Sequence, residues 1–281
     1  MSFPYKKVAV FGATSGIGKA LAERFIENGI FVIAIGRRKD RLAELVHQYG
    51  HDKVQASDFD ITKFDAIPNF VKSITSSYPD LDLVFLNSGI QIPFDFTKPD
   101  DVDMSKLQLE FNTNYLAPVA LTKAFLPFLM SRAKEGHSSG LLYTTSGLAL
   151  VPIPHVPNYC ATKAAMHSFI LTLREQLTET NVKVLELYPP AVQTELHGEG
   201  GKDFGMPIDE FTNEVRCSGS SIRARVTANH AQAWEGLSHG KDQVPVGTGK
   251  KAFSEFEVKK QEMFQETAKM IKQQSSSPNK K

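Results

Sequence analysis

Short apolar runs alternate with stretches of helical periodicity, and this alternation predicts an α/β fold: a doubly wound parallel sheet in a single domain. Two further observations point the same way. The apolar runs are almost continuous, as strands covered on both faces require. Polar, often glycine-bearing stretches follow run after run, at the sheet edge where such folds bind ligands.

The elements follow in order. Residues 8–11 are apolar and end at Gly12, which reads as a buried first strand. Residues 19–28 place Leu21, Ala22, Phe25 and Ile26 at helical spacing and stop at Gly29. Residues 30–35 form a second strand ending at Gly36-Arg37-Arg38, and 37–49 a helix with Leu42, Leu45 and Val46 on one face. A weaker third strand, 53–56, leads to Asp58-Phe59-Asp60. A helix over 64–78 precedes the fourth strand, 83–86, closed by Asn87-Ser88-Gly89. Residues 104–133 contain a long helix, with Pro118 and Pro127 as kinks or breaks. A fifth strand covers 140–145, a long helix 158–180, and a sixth strand 182–188 before Pro189-Pro190. No internal repeat interrupts this order.

Composition narrows the function. The chain has 281 residues, 41% hydrophobic and 22% charged, with a net charge of +1 from 32 basic and 31 acidic residues. This describes a soluble globular protein with no reason to hold nucleic acid or an anionic membrane. The apolar run at Val8 leaves no room for a signal peptide, and no run reaches membrane-spanning length, so a cytoplasmic protein is expected. Cys160 and Cys217 are the two cysteines, better read as free thiols than as a disulfide, and no cluster suggests a metal.

Gly12-Ala13-Thr14-Ser15-Gly16-Ile17-Gly18 joins the first strand to a helix. Its small residues let the backbone approach a pyrophosphate, and the helix start offers free N–H groups. The second strand ends without a carboxylate, at Gly36-Arg37-Arg38. An acidic residue there would bind a ribose 2′-hydroxyl; arginine accommodates a 2′-phosphate, so NADP(H) is favoured over NAD(H). The plain alternative is a solvated basic helix start, which would oppose the helix dipole. Tyr159 and Lys163 stand four apart on the long helix, so phenol and ammonium share a face. A neighbouring positive charge favours the phenolate and suits the tyrosine to proton transfer with a carbonyl/alcohol pair. Taken alone, the pair reads first as an ordinary helix face on which the tyrosine packs and the lysine reaches solvent.

Over residues 6–197 the whole set resembles the short-chain dehydrogenase/reductase family in its ordinary-length, single-domain form, with a Rossmann-type fold. Matching its motifs are Gly12, Gly16 and Gly18, Asp60 after the third strand, Asn87-Ser88-Gly89, Asn114, Ser146 thirteen residues before Tyr159, and Lys163. Pro189-Pro190-Ala191-Val192-Gln193-Thr194 matches the turn after the sixth strand. Phe11, Leu86, Ser88 and Pro190 depart from the family pattern. Pro190 replaces a glycine and removes an N–H, so the turn there is expected to differ in shape. Asn87-Ser88-Gly89-Ile90-Gln91 and the 188–196 stretch resemble the DltE-like branch of oxidoreductases.

The resemblance implies roles. Tyr159 is the general acid or base, Lys163 lowers its pKa and binds the nicotinamide ribose, Ser146 bonds the substrate oxygen, and Asn114 holds a water linking Lys163 to solvent. Gly12, Thr14, Ser15, Gly16, Ile17, Gly18, Arg37, Arg38, Asp60, Asn87, Gly89, Val192 and Thr194 line the cofactor site, with Lys123 as a further candidate. It implies a small-molecule carbonyl or alcohol substrate, and a homodimer or homotetramer face on the helices at 104–133 and 158–180. A rival reading keeps the fold as a non-catalytic NADP(H)-binding regulator; another is an inactive relic of a faulty gene structure. Cys160, beside the tyrosine, reads as a space-filler or, less simply, a redox thiol.

The rest departs from pattern. Residues 1–250 are expected to form the domain, with 194–245 as its substrate lid, a final strand near 240–247, a helix over 251–274, and a disordered 275–281. Glu214 and Ala233 would join into one amphipathic helix if 215–232 were removed. That 18-residue segment reads as a translated, unspliced intron: Val-Arg can be written GTACGT, Ala-Asn GCTAAC, and the closing Gln CAG. The alternative is a genuine lid insertion.

Overall fold

In the computed structural model, residues 3–198, 205–212, 233–247 and 249–276 are described. Seven strands lie parallel in one sheet: β1 (Lys7–Phe11), β2 (Phe31–Gly36), β3 (Val54–Asp58), β4 (Leu83–Leu86), β5 (Gly140–Thr144), β6 (Lys183–Tyr188) and β7 (Gln243–Pro245). Their spatial order is β3-β2-β1-β4-β5-β6-β7. The chain therefore winds one way from β1 to β3 and the other way from β4 to β7. The reversal falls between β1 and β4, where Val8–Phe11 align with Leu83–Leu86.

Alternate side chains feed two cores. Val8 and Val10 point to one face, with Leu21 and Phe25 of α1 (Gly16–Glu27), Leu42 and Leu45 of α2 (Lys39–Tyr49), Phe211 of α7 (Ile208–Thr212) and Trp234 of α8 (Ala233–Ser238). Ala9 and Phe11 point to the other. There Val71 and Ile74 of α3 (Ile67–Ser77), Phe125 and Leu129 of α5 (Ala117–Lys134), and Ile170 and Leu173 of α6 (Pro157–Gln176) cover the sheet. Burial on both faces explains the near-continuous apolar strands. Trp234 packs 5.2 Å from the Phe3 ring and 5.9 Å from Phe25, tying α8 to the first core.

The long helix expected over 104–133 is divided at a π-helical turn just before Pro118. α4 (Met104–Phe111) passes through a π-helical turn, Asn112–Leu116, into α5. Pro118 stands in the first turn after the π segment, and Pro127 lies inside the continuing helix. Beyond β7, the helix expected from 251 begins at α9 (Gly249–Ala252), passes through a second π turn, Phe253–Glu257, and continues as α10 (Val258–Ser276). Along this helix Phe256 and Ile271 are exposed, at 58% and 59%. Residues 215–232, with the intron reading placed on them, lie outside the described residues, as do 199–204 and 277–281.

Candidate active site

The carboxyl ends of the strands open into one cleft of about 1160 Å³, larger than the ~300–1,000 Å³ of ordinary small-ligand pockets. Its wall includes Gly12, Thr14, Ser15, Gly16 and Ile17 after β1, Arg37 and Arg38 after β2, Asp60 after β3, and Asn87 and Gly89 after β4. Ser146 after β5, Tyr159 and Lys163 on α6, and Val192 and Thr194 after β6 complete it. Six strand ends thus meet, as the sequence order implied.

The glycine turn is built for close approach. Gly12 has φ +85° and Gly16 φ +53°, the left-handed region that favours glycine. A Cβ on Gly18 would collide with the Gly12 carbonyl and the Asn87 amide, so Gly18 works from behind the cleft by packing helix on strand. A Cβ on Gly16 would meet the Thr194 side chain at 3.2 Å, and one on Gly89 would come within 3.3 Å of Asn114 Oδ1 and 3.6 Å of Lys163 Nζ. Bare backbone therefore lines the cleft from the first turn to the catalytic-type side chains. This cradle fits a nicotinamide dinucleotide, whose phosphates need unobstructed N–H groups.

Behind that surface, Asn87 Oδ1 accepts from Thr144 Oγ1 at 2.9 Å, joining the end of β4 to β5. Asp60 accepts from the Thr62 N–H at 3.0 Å and its hydroxyl at 2.8 Å. Burial opposes its ionisation, but these bonds, with the charges of Arg37 and Lys63, hold the carboxyl below its ordinary range. Val192 is buried and bridges to Met206, while Thr194 Oγ1 accepts from Leu196 N–H at 3.3 Å and starts the turn Glu195–His197. Pro190 packs against Gly247, where a Cβ would come 3.0 Å from its Cγ. The proline thus shapes the turn by packing against the segment after β7.

Asn114 owes its place to the π turn. Its amide donates to Ile90 O at 2.8 Å and to Thr162 Oγ1 at 3.1 Å, and its oxygen accepts from Ile90 N–H at 2.9 Å. Wide turns of this kind recur at functional sites. Lys123, in contrast, is exposed on α5 and does not line the cleft. Nine residues from Asn114 is about two and a half helical turns, which carries it toward the opposite side.

Ser146, Tyr159 and Lys163 come together, all buried. Ser146 Oγ accepts from Leu148 N–H at 3.1 Å, so its own hydrogen is free for the phenol. Burial raises the Tyr159 pKa above its ordinary value, and the Ser146 hydrogen bond draws it back in part. The Lys163 ammonium lies 5.5 Å from the Tyr159 ring centroid and donates to Thr144 O at 2.9 Å. Burial lowers Lys163 to about 8, against the pull of Glu110 and Glu186. Cys160 is buried with Val156 and Tyr159 in a small apolar cluster, in keeping with a space-filler.

Two features were missed by sequence reasoning. Arg41 reaches the cleft mouth and pairs with Glu195 at 2.8 Å. Its spacing three residues after Arg38 on a helix was the available signal. The other is a buried charge cluster behind the site. His167 Nδ1 lies 3.0 Å from Glu186 Oε1 on β6, and Nε2 lies 3.0 Å from Glu257 Oε2 in the second π turn. Tyr188 donates to Glu186 at 2.7 Å, and Thr145, beside Ser146, donates to Glu186 at 2.8 Å.

Fold and cleft define a nucleotide-binding α/β oxidoreductase. The family described as short chain dehydrogenase matches residues 6–203, and the chain belongs to that family. It is 36% identical to the uncharacterized oxidoreductase DltE of Bacillus subtilis over 218 residues, covering 76% of this chain and 82% of that one. It is 30% identical to the NADP-dependent 3-hydroxy acid dehydrogenase YdfG of Salmonella typhi over 226 residues, 80% of this chain and 82% of the other. Among solved structures, a 3-ketoacyl-(acyl-carrier-protein) reductase from Brucella melitensis complexed with NADH superposes with a TM-score of 0.67. The match covers 74% of this chain and 88% of that one at 24% identity, a likeness of fold.

Proposed function

We propose that the protein is an NADPH-dependent oxidoreductase that interconverts a carbonyl and an alcohol on a small molecule, with Tyr159 as its general acid/base. The observation that carries this reading is the convergence of Ser146, Tyr159 and Lys163, all buried, in the same cleft as the glycine turn. The cofactor, when bound, supplies the hydride. The side chains supply orientation and the proton.

A substrate oxygen set between the Ser146 and Tyr159 hydroxyls would receive a hydrogen bond from each, stabilising charge as it develops there. Burial keeps the phenol protonated through the neutral range, which suits carbonyl reduction, where the proton is given. Lys163 at about 8 remains mainly cationic at neutral pH, yet can release a proton to restore the phenol. Asn114 would carry that relay toward solvent, as the resemblance implies. Gly12 and Gly16 would bear the pyrophosphate, with Gly18 closing the helix onto the strand behind them, Asp60 the adenine, Asn87 and Gly89 the adenosine-side turn, and Val192 and Thr194 the carboxamide. Arg37 and Arg38 favour a 2′-phosphate, consistent with the NADP dependence in the name of the Salmonella relative. The domain boundaries expected from sequence, and the intron reading of 215–232, belong to this proposal; sequencing the transcript decides the latter, and a functional message that retains the 18 codons refutes it.

NADPH oxidation against a panel of aldehydes and ketones tests the assignment. Tyr159→Phe keeps the buried ring and is expected to retain NADPH binding while losing roughly 10²–10⁴-fold in turnover. Turnover equal to wild type would remove Tyr159 from its role. NADPH binding without turnover of any carbonyl would favour the regulatory reading.

A further inference from the structure

Arg38 and Arg41 project from the start of α2 toward the cleft mouth, and one carboxylate occupies both. Glu195 Oε2 accepts from Arg38 at 2.7 Å and from Arg41 at 2.9 Å, and Oε1 accepts from Arg41 at 2.8 Å. The remaining donors of Arg38 are aimed at the glycine turn: Nε donates to Thr14 Oγ1 at 3.1 Å and a terminal nitrogen to Ser15 Oγ at 2.5 Å. Arg41 also donates to Thr14 O at 3.3 Å. The guanidinium of Arg38 thus sits where the β1 turn meets the end of β2, the position at which doubly wound folds read the 2′-substituent of the adenosine ribose. Its anion partner comes from 157 residues away in sequence.

That partner belongs to the other half of the cleft. Glu195 opens the turn Glu195–His197; Thr194 before it packs over Gly16, and Leu196 and His197 after it line the cleft. His197 Nδ1 lies 2.8 Å from Gln91 Oε1. The ion pair is exposed, with side-chain exposures of 45% for Arg38 and 42% for Glu195, so its intrinsic strength is small and it can be exchanged. A phosphate monoester carries more charge than a carboxylate near neutrality and offers three acceptor oxygens to a guanidinium fork.

We infer that Glu195 holds the place of the 2′-phosphate: an adenosine 2′-phosphate displaces it from Arg38 and Arg41, and so frees the Glu195–His197 turn at the substrate side. This rests on the NADP(H) reading above and extends it. Glu195 becomes a determinant of cofactor selectivity, because it taxes only ligands that carry the 2′-phosphate. It also couples cofactor choice to the substrate wall, since NAD(H) would leave the ion pair in place.

The experiment compares 2′,5′-ADP with 5′-AMP by calorimetry on the full-length protein and on Glu195→Gln, an exposed substitution that keeps shape and removes charge. Wild type is expected to prefer 2′,5′-ADP, and the substitution to enlarge that preference several-fold. Hydrogen exchange supplies a second readout on the unaltered chain: 2′,5′-ADP, and not 5′-AMP, is expected to speed exchange at residues 195–198. If wild type shows no preference for 2′,5′-ADP, the NADP(H) reading fails and the inference with it. If wild type prefers 2′,5′-ADP but the substitution leaves or shrinks the preference, Glu195 positions the arginines and only the inference fails. Unchanged exchange at 195–198 likewise overturns the displacement.

Discussion

Replacing Glu257 with glutamine would expose how the buried charge cluster holds the site. His167 and Glu257 are about 1% and 0% exposed, so solvent does little to screen their contact. Burial disfavours the imidazolium, but Glu186 and Glu257 outweigh it and raise His167 from 6.5 to about 9. At ~1.36 kcal/mol per pH unit that rise corresponds to about 3 kcal/mol, shared between the two carboxylates. Glu257→Gln is expected to forfeit on the order of 2 kcal/mol, because one of two buried partners is lost while the packing shape is kept.

The pH dependence follows from the directions. His167 binds its proton more tightly when folded, so its contribution is complete below 6.5 and fades as pH rises through about 9. Burial raises the Glu257 pKa, but His167, Gln261 and Lys260 outweigh it and hold the carboxyl below 4.5, so its contribution is complete above 4.5 and is lost as pH falls through the folded value. Urea denaturation of wild type and Glu257→Gln should therefore differ by a plateau from about pH 4.5 to 6.5 that narrows toward zero above 9. Taking the difference between the two proteins removes Lys163, whose depressed pKa gives an opposite trend between about 8 and 10.5. A stability difference that is flat, or that grows from pH 6.5 to 9, would refute the reasoning. Because Thr145 shares Glu186 with His167, and α6 carries Tyr159, Lys163 and His167 on one face, turnover is expected to fall several-fold as well.

Other expectations are simpler. Gly18→Ala should weaken cofactor binding at least tenfold and lower the melting temperature, since the new methyl meets the Gly12 carbonyl backbone; unchanged binding would show that the turn relaxes freely. Asn114→Ala removes three hydrogen bonds, to Ile90 and Thr162, and should cost about 2 kcal/mol in denaturant titrations and slow turnover. Carbonyl reduction should decline above about pH 8 as Lys163 loses its proton, and Lys163→Arg should remove that limb if the protein still turns over.

Local sequence was enough for much of this molecule. Apolar runs mark five of the seven strands to within two residues, because strands buried on both faces tolerate little else, whereas β3, exposed along one face, was a weaker signal. The Gly12–Gly18 turn was legible because left-handed backbone and close approach demand glycine; Tyr159 and Lys163 share a face by helical spacing, but stood out only together with Ser146, Asn114 and the glycine turn. The break at Asn112–Leu116 falls just before Pro118, which the sequence marked as a kink or break, but its π-helical form around Asn114 was not legible. Lys123 shows the reverse error: a spacing that looked suggestive in sequence points to solvent once wound on a helix. Sequence determined most of the sheet and the glycine turn, since each rests on local conformational preference, while Ser146, Tyr159 and Lys163 were singled out by resemblance to the family. Only the tertiary structure decided the phenol's raised pKa, the burial of His167 between Glu186 and Glu257, and the seating of Glu195 on Arg38 and Arg41. Those depend on desolvation and on charges brought together from distant parts of the chain, which no local pattern encodes.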